Sequence, residues 1–162
     1  MGYEIAGGLG VKMAAPDREV FVLVGDGSYL MMAQELATAV AEGVKLIVVL
    51  VQNHGFASIG NLSESVGAER FGTRHRVRTA TGLDGDPLPV DLAANAASLG
   101  AGVLRAATAG ELRDALAEAV KADRTTVVHI ETDPLARNAP AGRRCLPSPH
   151  GSSAPSARTG RR

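Results

Sequence analysis

Continuous apolar runs alternate with helical patterns along this chain. Val20 to Val24 and Lys45 to Val51 are β-branched runs, the mark of strands buried on both faces. Residues 3–14 mix small and apolar residues with glycine and predict a tightly packed helix. Pro16 and Asp17 mark a turn. Between the two strands Leu30, Ala33, Leu36, Ala37 and Val40 recur at helical spacing, predicting a helix over 29–42 that stops at Gly43. From Asn53 to about Pro89 the periodicity fades into a long loop region, with one short helix near 63–70; loops of this length are usually functional. Order returns with a helix at 91–99, a strand at 102–106, a helix at 109–122 opened by the capping-box match Thr108 to Glu111, and a strand at 125–131. Such alternation implies an α/β fold with a parallel sheet.

Composition narrows the function classes. The chain has 162 residues, enough for one domain with a sizeable core, and is 45% hydrophobic but only 3% aromatic. Residues 1–136 carry 11 Lys and Arg against 17 Asp and Glu, a net of −6, which leaves no electrostatic footprint for nucleic acid. Residues 137–162 carry six Arg and no acid. Rich also in Pro, Gly and Ser, residues 136–162 read as a disordered tail, with 1–135 as the folded domain. The lone Cys145 excludes an internal disulfide framework. No apolar run is long enough to span a membrane and the N-terminus lacks a secretory pattern, so a cytoplasmic protein is expected.

The candidate chemistry lies at two strand tips. Gly25-Asp26-Gly27-Ser28 ends the first strand, and Asn53-His54-Gly55 ends the second. Each alone is a common turn. Together they are more informative: 27 positions apart, across one crossover of a parallel sheet, Asp26 and Asn53 reach the same edge, where open α/β sheets bind ligands. A Gly-lined strand-to-helix turn presents N–H donors to a phosphate. Asp26 would repel that phosphate unless a divalent cation lay between them. Carboxylate, amide and carbonyl oxygens suit Mg²⁺, with the Gly55 carbonyl as a third ligand. The P-loop pattern is absent.

Gly25-Asp26-Gly27, 25 intervening residues and then Asn53 resemble the thiamine diphosphate signature. The resemblance covers residues 1 to about 135, with the approach from Met1 to Gly10 similar to acetolactate-synthase-like enzymes. It implies a three-layer thiamine-diphosphate-binding fold with helices on both faces of the sheet. It also implies that Asp26, Asn53 and the Gly55 carbonyl hold Mg²⁺. Gly25, Gly27, Ser28 and Phe56 would contact the cofactor, and Met1 would wedge it into its bent shape. Many members carry Asn-Asn where this chain has Gln52-Asn53; the second Asn is the ligand. The stretches 25–32, 53–60, 64–72 and 88–100 resemble the trihydroxycyclohexanedione hydrolases of myo-inositol catabolism, which cleave a carbon–carbon bond in a cyclic dione. An acetolactate-synthase-like or 2-keto acid decarboxylase subunit is the alternative, and an inactive fragment a further one.

In this family the Glu that activates the cofactor's pyrimidine ring comes from a separate domain, usually on a neighbouring subunit. That implies a pyrimidine-binding domain or subunit as partner, a homo-oligomer, and a cyclic or 2-keto small-molecule substrate. It also predicts little activity for the chain alone, either as one half of a split enzyme or as a truncated gene product whose tail follows a frameshift.

Other residues carry less. His54 is a candidate catalytic group or a loop histidine bonded to backbone. Arg70, Arg74, His75, Arg76 and Arg78 form a basic cluster, read as a solvated face before a polyol or anion site. His129 reads as a satisfied core residue. Tyr29, Met31 and Met32 are expected to pack against cofactor or a neighbouring subunit, Glu35 to lie on the surface, and Asn95 has no evident task.

Overall fold

The computed structural model describes residues 1–133; the expected tail and Cys145 lie outside them. In chain order the elements are α1 (Glu4–Ala14), β1 (Phe21–Gly25), α2 (Asp26–Met32), α3 (Glu35–Ala41), β2 (Ile47–Gln52), α4 (Ala57–Ser65), α5 (Leu92–Ser98), β3 (Gly102–Ala106), α6 (Ala109–Lys121) and β4 (Thr126–Glu131). The four strands form one parallel sheet in the order β1-β2-β4-β3.

Strand alternation splits the core into two layers. Val22, Val24, Val48, Leu50 and Val127 face α1, α2, α3 and α5, against Ile5, Leu9, Tyr29, Leu36, Leu92 and Ala96. Ile47 and Val128 face the opposite way, against Ala115 and Ala119 of α6. Helices therefore cover both faces of the sheet, giving three layers.

Three expectations need correction. β1 is buried on one face only: Phe21 and Leu23 are exposed, because α6 packs on β2, β3 and β4 and does not reach this edge strand. The 29–42 helix begins earlier, at Asp26, and breaks at Ala33 and Gln34 into α2 and α3. The short helix of the long loop covers 57–65, directly after β2.

Tyr29 is not at a ligand or partner face. It is fully buried, and its hydroxyl donates to Asn95 Oδ1 at 2.8 Å, which gives Asn95 a task. Burial pushes the Tyr29 phenol up to about 12. The cap of α6 forms as expected at one end, with the Glu111 N–H donating to Thr108 Oγ1 at 3.2 Å. The Glu111 carboxylate reaches one residue further than in the usual box, accepting from the Ala107 N–H at 2.7 Å.

Candidate functional site

β1 runs into α2 with no loop between them, so Asp26 is the first helical residue and 1% exposed. Its carboxylate accepts two backbone hydrogen bonds, both at 3.0 Å: Oδ1 from the Gly27 N–H and Oδ2 from the Gly55 N–H. The second bond ties the tip of β1 to the tip of β2. His75 Nδ1 lies 3.9 Å from Oδ2. Each carboxylate oxygen keeps a free lone pair, and a buried carboxylate without a close counter-charge is costly.

The tip of β2 turns sharply. His54 has φ +59°, in the left-handed range that non-glycine residues adopt uncommonly, and Gly55 has φ +153°, a conformation open essentially to glycine alone. Glycine is required at 55, since a Cβ there would lie 2.3 Å from the Thr73 carbonyl oxygen and 2.8 Å from Arg74 Cα. The returning loop causes this crowding: the Phe56 N–H donates to Thr73 O at 2.8 Å, and the His75 N–H to His54 O at 2.9 Å. Glycine at 27 serves the same packing, because Phe56 covers it so closely that a Cβ would lie 2.5 Å from the ring. Phe56 also meets the His75 ring edge to face, with centroids 5.4 Å apart.

Asn53 Oδ1 is buried and has no hydrogen-bond partner. A buried orphan acceptor is unusual in a folded protein. With Asp26 it places two hard oxygens at the ends of adjacent parallel strands, a donor set that fits a small hard cation. Both strand tips border a cleft of about 270 Å³. Met1, Gly25, Gly27, Ser28, Asn53, Gly55 and Phe56 line it, so the expected cofactor-contacting residues come together. Asp26 is not in this lining; it borders a smaller cavity on the side of Gln52, His54 and His75. Ligand sites for drug-sized molecules run from about 300 to 1,000 Å³, so this cleft suits one end of a larger molecule.

The His54 ring is held by a directional chain of side-chain hydrogen bonds. His129 Nε2–H donates to Gln52 Oε1 at 2.7 Å. The Gln52 amide donates to His54 Nδ1 across a long 3.4 Å. His54 Nε2–H donates to Glu131 Oε1 at 2.6 Å. One proton arrangement serves all three bonds, because an amide oxygen only accepts and an amide nitrogen only donates. Burial lowers the His129 pKa, and nearby Arg105 acts in the same direction; the Gln52 Oε1, which only accepts, is what calls for a proton on His129 Nε2. The core reading of His129 is correct, and the backbone-bonded reading of His54 is corrected: its ring bonds the side chains of Gln52 and Glu131.

The basic cluster is not a solvated face. Arg70 pairs with Glu64 at 2.5 Å and also bonds Asn61. Arg76 donates to Gly85 O at 2.8 Å, and His75 turns toward Asp26. Only Arg78 of the five is exposed. Sequence reading grouped His75 with the arginines without placing it beside Asp26, and missed Glu131, whose pairing in register with Gln52 depends on strand order. It also missed Glu4, an acid opening an otherwise apolar, glycine-rich helix.

The family described as "Thiamine pyrophosphate enzyme, C-terminal TPP binding domain" matches residues 1–130. The chain is 42% identical over 136 residues to 3D-(3,5/4)-trihydroxycyclohexane-1,2-dione hydrolase 1 of Bacillus cereus. It is 41% identical to the enzyme of that name in Bacillus thuringiensis (strain Al Hakam). Each match covers 83% of this chain and 21% of the relative, so the chain spans about a fifth of its relatives' length. Among solved structures, the thiamine diphosphate-dependent 4-hydroxybenzoylformate decarboxylase of Rhodococcus jostii RHA1 superposes with a TM-score of 0.66 at 23% identity, over 82% of this chain and 23% of that one. Benzoylformate decarboxylase from Polynucleobacter necessarius gives 0.65 at 24% identity, over 84% and 24%. These two likenesses establish the fold.

Proposed function

The chain belongs to the thiamine pyrophosphate enzymes, as their C-terminal TPP binding domain, and on that premise we propose that its cleft holds the Mg²⁺–diphosphate end of thiamine diphosphate. Residues 1–135 are the cofactor-binding unit of a cytoplasmic enzyme that hydrolyses a carbon–carbon bond of a trihydroxycyclohexane-1,2-dione. The observation that carries the cofactor reading is the pairing of Asp26 with the unpartnered Asn53 Oδ1 at neighbouring strand tips. The substrate reading rests on the 42% identity to a hydrolase of that name.

Asp26, Asn53 Oδ1 and the Gly55 carbonyl would hold the metal. Gly25, Gly27 and Ser28 would border the diphosphate, and Met1 and Phe56 would pack on the cofactor. When bound, the cofactor supplies a nucleophilic thiazolium carbon that adds to a carbonyl. The chain's own residues place it. The two backbone N–H groups on Asp26 fix the carboxylate, and the turn at His54 and Gly55 aims the Asn53 amide. His54, bonded to Glu131, is a positioning residue here. Turnover needs a pyrimidine-binding domain or subunit to supply the activating Glu, in a homo-oligomer with sites at the interface.

Calorimetry tests the cofactor reading. The chain should bind Mg²⁺–thiamine diphosphate in preference to Mg²⁺–ATP or NAD, and Asp26→Ala should abolish that binding. Equal binding of all three, or an unaffected Asp26→Ala variant, would refute it. The catalytic reading predicts turnover of the cyclic dione, and not of 2-keto acids, once a pyrimidine-binding partner is supplied.

A further inference from the structure

Two side-chain atoms among the described residues are buried without a hydrogen-bond partner: Asn53 Oδ1 and Glu4 Oε2. The metal reading uses the first and leaves the second unexplained. Glu4 opens α1, one position before the core residue Ile5, and lines the same cleft as Met1, Gly25 and Asn53. A carboxylate oxygen withdrawn from water and given no donor destabilises the free protein. A fold tolerates such an atom where a bound molecule completes it. A diphosphate cannot do so, since its oxygens only accept and carry like charge. Glu4 therefore answers a different part of the ligand.

The geometry points to Glu4 as a further binding residue of this cleft, one whose carboxylate accepts a hydrogen bond from an N–H or O–H group on the molecule bound beside the Mg²⁺–diphosphate. The inference rests on the cofactor reading above. The donor has two sources: an amino group on the cofactor's own ring, or a hydroxyl of a cyclic polyol substrate. Either makes Glu4 specific for a donor-bearing ligand and indifferent to bare diphosphate.

Calorimetry on the full chain separates these sources with three probes: Mg²⁺ with inorganic diphosphate, Mg²⁺ with thiamine diphosphate, and myo-inositol added to the cofactor-loaded chain. The variants are Glu4→Gln, which keeps the shape and removes the charge, and Asp26→Ala. Glu4→Gln should not weaken diphosphate binding, since it removes a like charge from the cleft. A loss of about tenfold or more with thiamine diphosphate places the donor on the cofactor. The same loss confined to myo-inositol places it on the substrate. No weakening with either thiamine diphosphate or myo-inositol, or equal weakening of all three, would overturn the proposal. Melting of the ligand-free protein gives a second check. Because Oε2 has no partner to lose, Glu4→Gln should melt no lower than wild type, whereas a clear drop would make Glu4 structural and overturn the proposal as well. Full binding by Asp26→Ala would instead sink the metal reading while leaving the Glu4 comparison intact.

Discussion

Alanine at position 55 would place a methyl group 2.3 Å from the Thr73 carbonyl oxygen and 2.8 Å from Arg74 Cα. Both neighbours are backbone, so no side chain can rotate away. The native φ of +153° is itself closed to alanine. Backbone strain of this kind costs about 1–3 kcal/mol, and overpacking a further 1–3. Relaxation of the 73–75 segment would shed part of this, at the expense of the Gly55–Asp26 and Phe56–Thr73 hydrogen bonds, about 1 kcal/mol each. A net loss of about 3 kcal/mol follows, or about 10 °C in melting temperature for a domain of this size. Urea unfolding and scanning calorimetry measure it, with Gly10→Ala as the control. Gly10 lies in α1 with no atom within 4 Å of its added Cβ. There alanine should stabilise by about 0.5–1 kcal/mol through helix propensity alone. Because the strain falls on the turn that aims Asn53, Gly55→Ala should also lose Mg²⁺–thiamine diphosphate binding. A variant that melts within about 2 °C of wild type, or that keeps full affinity, would refute the placement of this turn.

Asn53→Ala removes an oxygen with no partner in the free protein, so its ligand-free stability should change by less than about 1 kcal/mol. Saturating Mg²⁺–thiamine diphosphate should stabilise wild type by about 2.7 kcal/mol at a hundredfold excess over Kd and the variant not at all, as read by thermal shift. Tyr29→Phe deletes the buried hydroxyl bonded to Asn95 and should cost about 1 kcal/mol in urea unfolding without altering cofactor affinity. Burial lowers the His129 pKa in the folded state, so below the unfolded value of about 6.5 the unfolded chain binds the extra proton. Stability should therefore be full above pH 6.5 and fall as the pH drops toward the lowered folded value; denaturation across pH 5–7 should show that slope, and His129→Gln should flatten it.

The strands, their parallel pairing and the two strand tips that carry Asp26 and Asn53 were legible in the primary structure because each depends on local chemistry. β-Branched runs declare buried strands, glycine declares a turn, and Asp26 and Asn53 stand one crossover apart whatever surrounds them. The expected cofactor-lining residues, Met1 through Phe56, accordingly meet at one cleft. What the chain could not announce depends on sheet order and on packing between distant segments. Phe21 and Leu23 read as core but lie on an edge strand that α6 does not reach. Glu131 meets His54 only because β4 pairs beside β2. His75 was indistinguishable from its arginine neighbours until the 73–75 segment crossed the tip of β2 and turned it toward Asp26. Glu4 carried no signal at all, since a helix-opening acid is ordinarily solvated; burial of its Oε2 against the cleft is a property of the tertiary structure alone. Local pattern determined which residues meet at the two strand tips, and long-range packing decided what surrounds them, because register and strand order are set by contacts far apart in the chain.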